Sequence, residues 1–388
     1  MEDRLTNMII AVIFIIVLGL AGIYAYKIIE GKAQTALEPN IQVENFTKKN
    51  ESIDTKNTGS NQNTSQEQTS SASIVIPLTE TNTHATKTDT KTQTTVATLD
   101  TYSYNNRFYY NQLNTYSKAI YDSIIKNIDK LKTGNSKINI DYDFSKILND
   151  KTEKSKLEIY YGDAINAVNL DLPNLFYIDF SKFSLNVESE TSIFGTKHSL
   201  YIDSGKNPNY FQDSFSNASQ VEQAINDVET IKSYIIENIN NDDYTKIKYL
   251  HDWMIDNLEY NSSSVNKGTV YGALFEKQAV CEGYARAYKY LLDSVGINSI
   301  LVTGTATNSS GNTEEHMWNY VKLDDNWYAV DCTWDDPIVY GGGTIGYEVK
   351  HRFFLIGSVD LSVTHVAKKT ISPNGKTFTL PILSINKY

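Results

Sequence analysis

The chain predicts an α+β fold in its C-terminal part, carried at the end of a polar tether. Three observations lead there. A helical stripe opens at Cys281 and is stopped by Gly296. Two alternating segments, 316–323 and 327–333, follow as a hairpin turning at Asp324-Asp325-Asn326. Ahead of all this lies a long stretch of Thr, Ser, Asn, Gln, Lys and Glu with no apolar period. The first two patterns have the periods of a helix and of half-buried strands. The third has too little apolar surface to offset chain entropy.

Taken in order, residues 1–7 form a short tail, predicted to be cytoplasmic. Residues 8–26 carry no charge and are mostly Ile, Val, Leu, Ala or Gly, long enough for one transmembrane helix. Arg4 precedes the run while Lys27 and Lys32 follow it, so flanking charge does not set its orientation. A short tail before a long polar remainder favours a signal anchor with the rest outside the cytoplasm. The alternative is a cleaved signal peptide ending near Ile23-Tyr24-Ala25, followed by secretion. Tyr24, Tyr26 and the length of the run favour the uncleaved anchor.

Residues 27–100 are read as a disordered stalk; Thr86-Lys87-Thr88-Asp89-Thr90-Lys91-Thr92 is close to low complexity. His84 lies within it as a solvated histidine. Residues 101–215 are expected to form a smaller α/β region. Leu113, Tyr116, Ile120, Ile124 and Ile128 recur at helical spacing. Asp171-Leu172-Pro173 reads as a turn into a strand, and 180–202 alternate as strands. Residues 216–388 form the main domain. It begins with a helix over 219–239, opened by Ser219-Gln220-Val221-Glu222 in capping-box form. A second helix over 244–258 carries Ile247, Leu250, His251 and Met254 on one stripe, with His251 expected to be structural.

The net charge of −11 argues against a nucleic-acid partner. Cys281 and Cys332 are the two cysteines, which excludes a disulfide scaffold. Cys281 falls in the first turn of its helix, where free amides favour a thiolate and its own N–H offers an oxyanion donor. Gln278 is a second donor on position alone. Cys332 shares a strand face with Tyr328 and Val330 and is read as packed. Trp318, Trp327 and Trp334 are core candidates, and Glu282 with Arg286 is a helix-surface pair.

A thiol nucleophile needs a base and an orienting carboxylate. His316 and Asp331 are the residues of those types in the hairpin, but simple registers do not join them. A two-residue turn at Asp325-Asn326 sets Asp331 opposite Tyr320, four positions from facing His316. A three-residue loop centred on Asp325 sets it opposite Asn319, on the other face. Contact requires coiling, a bulge or a different turn.

Val280-Cys281-Glu282-Gly283-Tyr284-Ala285, His316-Met317-Trp318-Asn319, Trp327-Tyr328-Ala329-Val330-Asp331 and Thr333-Trp334-Asp335-Asp336-Pro337 together resemble the transglutaminase-like superfamily. That superfamily includes papain-related thiol enzymes and bacterial cell-surface members. The likeness covers roughly 243–358, with His365 resembling a less firmly placed downstream histidine. It implies a papain-like core, in which an antiparallel sheet carries a packed nucleophile helix. It further implies Cys281 as nucleophile, His316 as general base and Asp331 as orienting carboxylate, brought together by the strands. Cys332 departs from the usual apolar residue. No run of Asp and Glu has calcium-loop spacing, so calcium activation is not supported, and no cofactor or metal is expected.

These observations predict an extracytoplasmic, membrane-anchored thiol acyl-transfer enzyme. Its substrates would be cell-surface proteins or peptides, including wall-linked ones. Amine acceptors would give crosslinks and water would give hydrolysis. The competing expectation is an inactive domain of the same fold that binds peptide or wall polymer. Oligomeric state is not readable.

Overall fold

The computed structural model describes residues 107–388 except 194, 238, 240–241 and 338–344. The tail at 1–7, the anchor at 8–26 and the stalk at 27–100 lie outside the described residues. Among the described residues no helix is long and apolar enough to cross a membrane.

The first elements are helices α1 (Phe108–Gln112) and α2 (Thr115–Lys126). Asn114 starts α2 by accepting from the amides of Tyr116 and Ser117, satisfying donors that a helix start leaves open. The predicted stripe then buries Ile120 and Ile124 fully. Helix α3 (Leu157–Asp171) was not expected. Apolar and polar residues are mixed around its circumference because it is enclosed on several sides, so no single stripe marks it. Its last residue, Asp171, accepts the amides of Tyr109 and Tyr110 at 3.0 and 2.9 Å and so ties α1 to α3. The Pro173 segment leads into short 3-10 turns at Pro173–Leu175 and Phe180–Lys182 rather than directly into a strand. Strands β1 (Ile138–Asn139), β2 (Ser184–Ser192) and β3 (Gly195–Asp203) form one antiparallel sheet with β3 central.

Helix α4 (Ala218–Ile236) is capped by Asn217, not Ser219: the Asn217 carboxamide accepts from the Gln220 amide. Helix α5 (Asp243–Asn257) is capped by Asp242 and buries Ile247, Leu250, His251 and Met254, the expected stripe. Strands β4 (Glu259–Tyr260) and β5 (Gln278–Ala279) pair in parallel, with helix α6 (Val270–Leu274) between them. Helix α7 (Cys281–Ser294) begins at Cys281, as its stripe predicts.

The main sheet is antiparallel, in the order β8 (Asn326–Val330), β7 (Thr313–Leu323), β6 (Ser299–Thr307), β9 (His365–Ala367). Side chains alternate across it. Leu301, Met317, Val321 and Leu323 join α7 in one core; Ile300, Val302, Trp318 and Tyr320 pack in a second core with Phe353 and Ile356. The Asn319 carboxamide donates to the Ala285 carbonyl at 3.0 Å, pinning helix to sheet. The larger core runs without a break from Tyr109 to Phe378, so the 101–215 region packs into the same interior as the residues after it.

The hairpin turn differs from both expected registers. Leu323 faces Asn326, so Asp324 and Asp325 form a two-residue turn with φ of 47° and 63°. Aspartate tolerates this left-handed region better than most residues, and the resulting turn matches strand twist.

Candidate active site

Moving the two-residue turn back by one residue, from 325–326 to 324–325, shifts the register by two and resolves the hairpin geometry. Continuing the ladder past Asn319–Val330 would set Asp331 opposite Trp318, on the face His316 shares. The ladder stops there and the chain curls through Thr333 and Trp334. Asp331 Oδ1 accepts both of their amides, at 3.0 and 3.2 Å. Its other oxygen, Oδ2, lies 2.7 Å from His316 Nε2. A diagonal position on one face, plus the curl, closes the distance that a flat ribbon leaves open.

With Nε2 engaged by Asp331, Cys281 is the other side chain that acts on the His316 ring and favours its charged form. Burial opposes a charge on His316 most strongly. The Asp331 carboxylate and the Cys281 sulfur outweigh it and hold the imidazolium, with its pKa raised to about 10. Asp331 responds in the opposite sense. Burial would push its pKa up, but His316 and His365 hold it well below the usual carboxylate range. Both directions describe one charged pair.

His365 arrives on β9. Its Nε2 lies 3.1 Å from the same Asp331 Oδ2, and its Nδ1 lies 2.7 Å from Thr364 Oγ1. Asp331 therefore meets four donors, two imidazoles and two amides. Trp334 flanks both rings, with centroids 5.7 Å from His316 and 4.7 Å from His365. Trp318 stacks along His316 at 6.1 Å. These indoles are core residues, as expected, and they keep water from the His–Asp contacts.

Cys281 is half-buried at the start of α7. Val280 precedes it in extended conformation and offers no side-chain cap, so the first-turn amides are not spent on one. Gln278 accepts from Asn261 Nδ2 at 3.2 Å through Oε1, which orients its amide. Tyr260 was not singled out by the sequence. Its phenol is kept protonated by burial first, then by the negative charges of Cys281, Glu314 and Asp331. A two-residue parallel bridge to Gln278–Ala279 sets its position, and nothing in its local sequence marks that pairing. Glu282 pairs with Arg286 Nη2 at 2.8 Å at the spacing expected, but Arg286 is buried rather than on the surface and also donates to the Asn169 carbonyl at 2.6 Å. Beside them a cavity of about 590 Å³ opens between α7 and the 165–181 segment.

Cys332 is 2% exposed, and burial followed by Asp331, Asp335 and Asp336 pushes its thiol pKa far up. Limiting iodoacetamide is therefore expected to label Cys281 well before Cys332, read by peptide mass spectrometry. Equal or reversed labelling would contradict this assignment of the reactive thiol.

His251 is fully buried with both ring nitrogens engaged. Two groups of described residues bring histidine nitrogens and carboxylate oxygens within 4.8 Å of one another: His316, Asp331 and His365, and His251, Asp252 and His351.

Comparison with known proteins gives the following. Residues 229–332 match the transglutaminase-like superfamily. No curated protein matches the chain. A crystal structure of a TGase aligns over 45% of this chain and 50% of its own, at 13% identity and a TM-score of 0.27. The periplasmic domain of TgpA from Pseudomonas aeruginosa, bound to ethylmercury, aligns over 40% of this chain and 66% of its own, at 15% identity and a TM-score of 0.22. The chain thus spans half of the first structure and about two thirds of the second. Cys281, His316 and Asp331 all fall within the matched segment, and residues 229–332 form a domain of the transglutaminase-like superfamily.

Proposed function

We propose that the protein is a thiol acyl-transfer enzyme with Cys281 as nucleophile, His316 as general acid and base, and Asp331 as the orienting carboxylate. The observation that carries this reading is the buried His316, 2.7 Å from Asp331 through Nε2, with Asp331 and Cys281 both favouring its imidazolium. The Cys281 sulfur attacks the carbonyl carbon of a glutamine carboxamide or a peptide bond. The carbonyl oxygen takes the developing charge beside the Cys281 amide, with the Gln278 amide as a second donor. His316 gives its proton to the leaving nitrogen, and a thioester remains. An amine or water then attacks the thioester, losing its proton to His316 and releasing Cys281. The cavity lined by Glu282, Arg286 and the 165–181 segment is not lined by Cys281, His316 or Asp331, so it is not assigned to the acyl donor.

The test is incubation of the full chain with a glutamine-containing peptide library and a labelled primary amine, read by mass spectrometry. The expected result is an amide product or a cleaved peptide that disappears in Cys281→Ala. Amine incorporation identifies crosslinking, and cleavage identifies hydrolysis. Neither product, together with an unreactive Cys281, would sink the catalytic reading in favour of a peptide- or polymer-binding domain.

The uncharged run at 8–26 and the polar stretch at 27–100 support a location outside the cytoplasm on a membrane anchor, facing cell-surface proteins or peptides. Protease added to intact cells is expected to remove the 216–388 domain while a cytoplasmic marker survives. Protection until lysis would overturn this placement.

A further inference from the structure

We infer that His251, Asp252 and His351 form a binding site for a divalent transition cation of borderline softness, with zinc as its natural probe. The site is separate from the Cys281 machinery and goes beyond the reading above. Three ligand atoms converge. His251 Nδ1 lies 3.1 Å from Asp252 Oδ1, and His351 Nε2 lies 2.7 Å from the same oxygen. All three atoms lie within 4.8 Å of one another. Tetrahedral zinc with ligands at about 2.0–2.1 Å needs ligand atoms about 3.3 Å apart, so a small opening of this cluster admits the ion.

The outer contacts single out these histidines from ordinary buried ones. A metal-bound imidazole almost always donates its second N–H to a carboxylate or a backbone carbonyl. Both do so here: His251 Nε2 faces Asp335 Oδ2 at 3.1 Å, and His351 Nδ1 faces the Tyr347 carbonyl oxygen at 2.9 Å. The Tyr347 carbonyl places a proton on His351 Nδ1, and Asp335 favours one on His251 Nε2. The remaining nitrogens, Nδ1 of His251 and Nε2 of His351, face the same carboxylate oxygen. A proton on each of these nitrogens satisfies the contacts, and a divalent cation displacing those protons would be held by the same three atoms. Asp252 Oδ2 accepts from Lys248, which leaves Oδ1 as a monodentate ligand. Tyr347 stacks on the His351 ring at 3.9 Å and holds its plane.

Two imidazoles and one carboxylate favour zinc-like ions over calcium or magnesium, which take oxygen ligands. The Asp252 side chain is 31% exposed, giving access from solvent. The ion would clip α5 to the segment carrying His351. Through His251 and Asp335 it would also brace the turn that begins at Asp331, because the Asp335 amide donates to the Asp331 carbonyl at 3.2 Å.

The experiment uses the full chain in detergent, stripped with chelator, in a Cys281→Ala background so that the thiol cannot compete. Zinc is titrated calorimetrically, and bound metal is counted by elemental analysis after dialysis. One zinc per chain is expected. His351→Gln should weaken it at least tenfold, and Asp335→Asn by about 10–100-fold through loss of the outer carboxylate. His365→Gln, in the other histidine cluster, should leave affinity unchanged. Zinc should raise the unfolding temperature of the Cys281→Ala chain and not of the His351→Gln variant. Absence of stoichiometric zinc overturns the site, as does unchanged affinity in His351→Gln. Loss of affinity in His365→Gln alone would place the metal at the other cluster and equally overturn it. None of these readouts depends on catalysis, so they stand or fall apart from the acyl-transfer reading.

Discussion

Asp331→Asn is expected to keep the fold and to lower acyl-transfer kcat/KM by about a thousand- to ten-thousand-fold. The reason lies in the four donors around one carboxylate. Oδ1 accepts two amides, and Oδ2 faces the Nε2 atoms of His316 and His365. A carboxamide has one acceptor atom. Whichever way it turns, its NH2 group faces two donors. If the NH2 group faces the imidazoles, His316 is driven to the wrong tautomer. If it faces the turn, the Thr333 and Trp334 amides lose their acceptor, at a cost of about 1–3 kcal/mol. The pH profile separates a mechanistic role from a packing role. Burial works against the His316 proton, while Asp331 and Cys281 together keep it until about pH 10. A raised pKa means that the proton is present below that pH and lost above it. Activity that needs the imidazolium should thus persist at mildly alkaline pH and fall as pH rises towards 10. Removing the Asp331 charge should move this alkaline limb to lower pH. Full activity with an unmoved limb would remove Asp331 from the mechanism, and a lost circular-dichroism signal would show that the residue is structural instead.

Gly304→Ala is expected to destabilise the domain by on the order of 2–3 kcal/mol and to impair the site from a distance. Gly304 lies on β6 between His316 on β7 and Ala367 on β9. A methyl group there would lie 2.1 Å from the Val366 carbonyl oxygen and 2.8 Å from the Trp318 ring. Neither is the loose end of a flexible side chain, so β9 must move outward. His365 sits two residues along that strand and would be drawn from Asp331. The expected readout is a lower denaturation midpoint with an unchanged slope, and a larger loss in kcat than in KM. An unchanged midpoint would mean that β9 does not seat on β6 as described here.

Several elements were legible because their information is local. The Cys281 helix is written in the spacing of Tyr284, Ala287, Tyr288, Leu291 and Leu292, and its end in Gly296, with φ of 88°. The stripe of α5, the strands after Phe183 and the α2 stripe are written the same way. Helix α3 was not legible, because a segment enclosed on several sides has no polar face to set a period. The cap of α4 was misplaced by two residues because Ser219 and Asn217 are both good caps, and backbone conformation chooses between them. At the site, residue types and motif spacing pointed to Cys281, His316 and Asp331, while hairpin parity left the last two apart.

The sequence by itself determined which side chains are available, the helix that starts at Cys281 and the alternation of the hairpin strands. Only the tertiary structure decided that the turn sits at Asp324–Asp325, which leaves Asp331 on the His316 face two positions, rather than four, from facing it. It alone also brought His365 to Asp331 from 34 residues away, and His351 to Asp252 from 99 residues away. The division has a physical cause. Periodicity and capping are energies of neighbouring residues and can be read along the chain. Which carboxylate oxygen meets which imidazole depends on strand register and sheet order, and these are set by packing between segments that the sequence keeps apart.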